Sequence, residues 1–241
     1  MSINIIAHRG ASMYAPENTI EAFSLAVEQN SDAIELDVHM SSDNEIVVSH
    51  DGTLERCSNG TGEIKDYSVK TLKQFNFGKN MPKYGVCQIP TLREVYELIK
   101  PTGLFINVEI KGGFGMIEPA LAELAIEMDM VSRVIYSSFN HDSLKNMKKY
   151  EVNCKTGILY GDFIENVWDY CKNNGFDAIH CHFGLLKDND TVSKCHENGI
   201  LVHPWTVDNV EDLMYLYKIG VDAVITDVPD VARNVLNEIL K

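Results

Sequence analysis

Segments of strand character and helix character alternate eight times along this chain, and few architectures other than a closed (β/α)8 barrel accept that pattern. Strand-like runs fall at 3–8, 33–38, 104–110, 133–138, 155–160, 177–182, 200–205 and 222–227. Helical periodicity falls at about 18–29, 91–99, 117–128, 142–149, 163–173, 189–198, 209–218 and 229–240. An internal echo marks the strand entries: Asp32-Ala33-Ile34, Asp177-Ala178-Ile179 and Asp222-Ala223-Val224 each follow a helix end, and Gly175 and Gly220 stand where a helix-terminating glycine is expected. At 241 residues the chain has the length of one α/β barrel domain spanning 1–241.

One stretch breaks the rhythm. Glu45 to Ser49 reads as an extra strand returning from Val38 through the turn Ser42-Asp43-Asn44. Residues 51–90 then carry no clear βα unit, and so long a loop in a compact domain is usually functional. It is expected to form a small inserted subdomain capping the top of the barrel.

The chemistry-bearing residues cluster early. The strand at 3–8 delivers His8 and Arg9 to its end and stops at Gly10; Asn18 and Thr19 can cap the first helix. Glu35 and Asp37 share one face of the second strand, with Ile34, Leu36 and Val38 on the other. The third strand repeats the arrangement with Asn107, Glu109 and Lys111 against Val108 and Ile110. Since barrel sites sit at the C-terminal strand ends, Glu35, Asp37 and Glu109 are expected to converge at the upper rim. Three inward carboxylates repel one another unless a cation joins them, and oxygen-only ligands favour Mg²⁺ or Ca²⁺, with Mn²⁺ a further candidate, over zinc. His8 and His50 suit proton transfer near neutral pH, while Arg9 and Lys111 suit the non-bridging oxygens of a phosphoryl group.

A formal net charge of −14 argues against nucleic acid and against stable association with an anionic membrane surface, but not against a small anionic substrate in a cation-lined cleft. The six cysteines form no C-x-x-C pair and read as reduced thiols. No basic leader segment precedes the first strand and no apolar run could span a bilayer, so a cytoplasmic location is expected.

With these residues in place, the chain resembles the glycerophosphodiester phosphodiesterases over nearly its whole length. The matching pieces are His8-Arg9-Gly10, Pro16-Glu17-Asn18-Thr19, Glu35-Leu36-Asp37-Val38, His50-Asp51 with Leu54, Arg56 and Gly60, Pro90-Thr91-Leu92, Glu109-Ile110-Lys111, Ser137-Ser138-Phe139, Trp205-Thr206-Val207 and Ile225-Thr226-Asp227. They stand in the family's order and are specific as a set. The resemblance implies a (β/α)8 barrel with an insertion after the second strand, His8 and His50 as acid–base pair, and Glu35, Asp37 and Glu109 as ligands of a divalent metal. It further implies Arg9 and Lys111 as phosphate ligands and Trp205 on the glycerol side of the pocket. The substrate class would be small phosphodiesters such as glycerophosphocholine or glycerophosphoethanolamine.

Some positions depart from the family. His39 stands where the family more often carries Gln, and His203-Pro204 precedes Trp205; both histidines read as satisfied core residues, with tuning of the substrate fit as the alternative. His180 and His182 share a face that Cys181 does not, so the three cannot bind one ion, and His182 falls near the expected pocket. Two other readings compete. A lysophospholipase D would need an apolar entrance, for which the insertion offers Phe75, Phe77, Met81 and Tyr84. A catalytically silent binding barrel would lack one of the histidines or carboxylates, yet all are present.

Overall fold

The computed structural model describes residues 3–187 and 190–240; position 189, where one helix was expected to begin, and the chain's first two and last residues lie outside them. In chain order the strands are β1 (Asn4–Ala7), β2 (Ala33–Met40), β3 (Ile46–Val48), β4 (Phe105–Ile110), β5 (Val134–Ser138), β6 (Lys155–Tyr160), β7 (Ala178–Cys181), β8 (Leu201–Val202) and β9 (Ala223–Thr226). The helices are α1 (Ile20–Glu28), α2 (Val69–Leu72), α3 (Leu92–Ile99), α4 (Ile117–Glu127), α5 (His141–Tyr150), α6 (Val167–Asn174), α7 (Thr191–Glu197), α8 (Val210–Ile219) and α9 (Pro229–Ile239).

Eight parallel strands follow the order β8-β7-β6-β5-β4-β2-β1-β9, while β3 pairs antiparallel with β2 as the hairpin reading expects. The ring closes between β8 and β9, where the Asp222 and Ile225 amides donate to the carbonyls of Val202 (3.0 Å) and Pro204 (2.9 Å). β8 is shorter than the 200–205 run because Pro204 has no amide to donate, yet the His203 and Trp205 amides still reach the carbonyls of Ile179 and Cys181 on β7. α6 likewise starts at Val167 rather than 163, after Asn166 in the left-handed region.

The repeated aspartates have a common structural job. Asp32, Asp177 and Asp222 accept the amides of Ile5 (2.8 Å), Thr156 (3.0 Å) and Val202 (2.8 Å), each on the neighbouring strand. Each is also paired with a basic group: Arg233 with Asp32, Lys148 and Lys155 with Asp177, His196 with Asp222. Charge-assisted bonds of this kind contribute about 1.5–3 kcal/mol each, and these pin strand register at the bottom of the barrel. Gly175 and Gly220 end α6 and α8 with φ of 71° and 79°, the left-handed cap their positions call for.

Outward-facing Ile34, Leu36, Val38, Val108 and Ile110 join the main core beneath the helices. Inside the barrel one side is apolar, with Ile6, Ala33, Ala223 and Ile225 under Trp205. The other side buries Asn107, Ser137, His180 and His203. His180 Nε2 lies 3.0 Å from His203 Nδ1, and burial lowers the pKa of both imidazoles, His203 to about 4. Gly157 gives this pair its room, since a Cβ there would stand 2.4 Å from His180 Nε2. His203 is thus a paired core histidine, and Cys181 faces the outer core, away from His180.

Residues 51–90 have a hydrophobic cluster of their own, built from Leu54, Cys57, Ile64, Leu72, Phe77 and Ile89 around Val47 of β3. The segment returns to the barrel where Val48 donates to the Pro90 carbonyl and Thr91 opens α3 with a reciprocal capping box to Glu94. Among the described residues no helix is long and apolar enough to cross a membrane.

Candidate active site

The site is assembled by the turn after β1. Arg9 and Gly10 both adopt positive φ, 55° and 83°. At Gly10 a Cβ would stand 2.6 Å from the Ala22 carbonyl carbon, so only glycine lets the turn lie against α1. Gly10→Ala is therefore expected to destabilise the protein by about 2 kcal/mol or more, combining a close backbone contact with an unfavourable φ; a melting temperature equal to the parent's would refute it. The reversed chain lets the Arg9 amide donate to Glu35 Oε2 (2.9 Å) and the Arg9 carbonyl accept from the Asn18 amide. Thr19 caps α1, whereas Asn18, also at positive φ, donates from Nδ2 to Asp37 Oδ2 (2.8 Å). The tetrapeptide Pro16–Thr19 thus starts a helix and orients an acidic side chain in one turn.

Asp37 lies opposite Glu109 in the β2–β4 register, and Glu35 opposite Asn107. Consequently Glu35, Asp37 and Glu109 each bring a carboxylate oxygen within 4.8 Å of the others, all three buried. Glu35 Oε1 and Asp37 Oδ1 accept no hydrogen bond, and Glu109 Oε1 has the Lys111 ammonium 3.0 Å away. Burial first, and then the neighbouring carboxylates, pushes the pKa of Glu35 well up and that of Glu109 to about 7. Buried, converging oxygens left without donors are the donor set of a hard divalent cation, and these residues fit one.

The two imidazoles are held alike. His8 Nδ1 lies 2.6 Å from Asp227 Oδ1, and His50 Nδ1 lies 2.6 Å from Asp51 Oδ1. An ionised carboxylate behind Nδ1 fixes the proton there and leaves Nε2 as the ring nitrogen free to accept one. His8 Nε2 stands 4.0 Å from Glu35 Oε2, and His50 Nε2 is 3.1 Å from Lys111 Nζ. Burial, together with Arg9 and Lys111, lowers the pKa of His50 against the opposing pull of Asp37 and Asp51.

One cleft of about 230 Å³ is lined by His8, Arg9, Glu35, His50, Glu109, Lys111 and Trp205, with Asp37 joining through the acidic cluster. All eight residues singled out in the sequence therefore meet. Phe139, Leu159, Thr206 and Ile225 add an apolar flank, and Phe139 packs edge-on against Trp205 (5.8 Å). His182 also meets the Trp205 ring edge-on. His39 Nε2 lies 3.1 Å from the His50 carbonyl and so braces that backbone rather than the cleft. Asp227, which orients His8, directly follows β9 at the far end of the chain; its sequence signals are its strand-end position and its place in the Ile225-Thr226-Asp227 motif, neither of which shows that it pairs with His8. Phe75 and Phe77 pack in or against the insertion's own core, and none of Phe75, Phe77, Met81 and Tyr84 lines the cleft. Exposed apolar side chains of the upper loops include Met13, Phe114, Met116, Phe139 and Phe163, and the insertion adds Val86.

The profile of the glycerophosphoryl diester phosphodiesterase family matches residues 8–231. The chain is 39% identical to a glycerophosphodiester phosphodiesterase of Caldanaerobacter subterraneus subsp. tengcongensis, with 99% of each chain covered. Its fold is similar to that of an Oleispira antarctica phosphodiesterase solved with the product sn-glycerol-3-phosphate (TM-score 0.88, 29% identity, 97% and 96% of the two chains). It is similar also to a Thermotoga maritima glycerophosphodiester phosphodiesterase (TM-score 0.83, 28% identity, 98% and 99%).

Proposed function

The chain belongs to the glycerophosphoryl diester phosphodiesterase family and is an enzyme of that activity, and we propose that it cleaves glycerophosphocholine, glycerophosphoethanolamine and similar diesters to sn-glycerol 3-phosphate and an alcohol through a cyclic phosphate. The observation that carries this reading is the pair of carboxylate-backed imidazoles flanking an acidic triad, with Arg9 and Lys111 beside them. The cleft of about 230 Å³ suits the glycerophosphoryl half, leaving the head group at the mouth. Insertion residues 51–90 serve as a cap that brings the His50–Asp51 side of the site to the rim.

Glu35, Asp37 and Glu109 would hold a divalent cation, Mg²⁺, Ca²⁺ or Mn²⁺, which when bound lowers the pKa of the glycerol 2-hydroxyl and offsets phosphoryl charge. Arg9 and Lys111 bind the non-bridging oxygens, and Trp205 packs against the glycerol carbons. His8 Nε2 takes the 2-hydroxyl proton as that oxygen attacks phosphorus, an intramolecular step with a large entropic advantage over attack by water. His50, which must enter this step as the imidazolium, protonates the head-group oxygen as its bond to phosphorus breaks. The roles then reverse: His50 takes a proton from water, the ring opens, and His8 returns a proton to the 2-oxygen. Six free, buried cysteines support a reducing cytoplasmic setting.

The deciding assay couples release of glycerol 3-phosphate to a reporter across a panel of diesters. Glycerophosphocholine is expected to turn over and its 2-deoxyglycerol analogue not to. Normal turnover of the deoxy analogue would mean direct attack by water. A monoacyl diester belongs in the panel because Phe114, Met116, Phe139 and Phe163 are exposed on the upper loops; preference for it would favour the lysophospholipase D reading.

A further inference from the structure

Arg56 lies in the insertion, outside the barrel, and its backbone is set by that segment: Leu54 and Ser58 on either side are buried, and Asn80 Nδ2 donates to the Arg56 carbonyl (2.9 Å). Its guanidinium forks twice. Nη1 and Nη2 donate to Glu17 Oε2 (2.7 Å) and Oε1 (2.8 Å), while Nε and Nη2 donate to Asp51 Oδ2 (2.6 Å) and Oδ1 (3.3 Å). The two carboxylates come from different parts of the chain, and each already serves a site residue. Glu17 Oε1 accepts from Arg9 Nη1 (2.9 Å), and Asp51 Oδ1 backs His50 Nδ1 (2.6 Å). We propose that Arg56 is a positioning residue that holds the His50 imidazole and the Arg9 guanidinium in one frame, fixing the plane of Asp51 behind the first and drawing Glu17 away from the second.

The physical reason lies in how the charges are shared. Glu17 is divided between two guanidinium groups. Without Arg56 its whole charge would fall on Arg9 and compete with the substrate phosphate for the same donors. Asp51 would at the same time lose the forked partner that sets its orientation, and the imidazole would lose its aim. Arg56 is 43% exposed, so solvent screens its side of the network and its removal should register more strongly in turnover and ligand binding than in folding. The inference rests on the roles given above to His50 and Arg9.

The test uses the metal-replete enzyme and its Arg56→Gly and Arg56→Lys variants. Three quantities are read: kcat for glycerophosphocholine, the Kd of sn-glycerol 3-phosphate by calorimetry, and the melting temperature. Arg56→Gly is expected to lose about 10–100-fold in kcat and to bind glycerol 3-phosphate several-fold more weakly, with a melting temperature close to the parent's. Added guanidinium should restore part of the lost kcat, whereas Arg56→Lys, lacking the fork, should not recover it. Parental kcat and Kd in Arg56→Gly, or a loss that guanidinium leaves untouched, would overturn the proposal. His50→Ala and Arg9→Ala run in parallel: if they too keep parental activity, the underlying reading has failed, and if they alone lose it, only the role of Arg56 has.

Discussion

His8→Ala and His50→Ala are each expected to lower kcat for glycerophosphocholine by about 100- to 10,000-fold, the span that one positioned proton donor or acceptor supplies. A change of leaving group separates the two. Choline departs as a strongly basic alkoxide and needs a proton, whereas p-nitrophenolate leaves without one. Glycerophospho-p-nitrophenol should therefore restore most of the loss in His50→Ala and little of that in His8→Ala, because the 2-hydroxyl must still be deprotonated. Equal recovery in both variants would leave the acid unassigned, and recovery confined to His8→Ala would exchange the roles. The geometry supports the pairing, since each imidazole has a carboxylate oxygen 2.6 Å from Nδ1.

Exhaustive chelation is expected to abolish turnover, and Mg²⁺, Ca²⁺ or Mn²⁺ to restore it. The cation should also stabilise the fold. At 100 times its dissociation constant a ligand adds about 2.7 kcal/mol, or roughly 5–10 °C in melting temperature for a chain of this size. The sign of the pH dependence follows from the raised pKa values of Glu35 and of Glu109, the latter about 7. Between the ordinary carboxylate range and about pH 7 the metal-free folded protein binds more protons than the unfolded chain. Its stability therefore falls as pH rises through that window, and saturating cation should remove the fall. Glu109→Gln takes away one ligand charge and one repulsion together, so it should raise the metal-free melting temperature while blunting the cation's effect. Full activity after chelation, with no metal found by elemental analysis, would end the assignment.

The barrel was legible because its signal is periodic and local. Alternation every two residues placed Glu35 and Asp37 on one face and Glu109 on the matching face of the next barrel strand, and the register sets Asp37 directly opposite Glu109 with Glu35 two residues below. The two-residue length of β8 was not legible to the same degree, since it depends on one missing amide at Pro204 inside an otherwise strand-like run. The core of the insertion was hidden for a different reason. Leu54, Ile64, Leu72, Phe77 and Ile89 are spaced too irregularly to show a helical or strand period, and α2 has only four residues. The partners of the imidazoles divide in the same way. Asp51 is adjacent to His50 in sequence, but Asp227 reaches His8 across 219 residues and Arg56 reaches Glu17 across 39, contacts that no local pattern encodes.

Carboxylates do opposite things at the two ends of this barrel. At the bottom Asp32, Asp177 and Asp222 are satisfied by backbone amides and basic side chains; at the top Glu35, Asp37 and Glu109 repel one another in a buried cluster. Tolerance to substitution is therefore directional along the barrel axis. Under selection for the thermal robustness of the metal-free protein alone, the lower aspartates would be retained and the upper three would drift toward amides, which relieve the repulsion while still accepting from Arg9 and Asn18. Only selection for turnover keeps the upper set acidic. The chain's capacity to vary its chemistry without losing its shape comes from keeping the two sets of acids at opposite ends of the same strands.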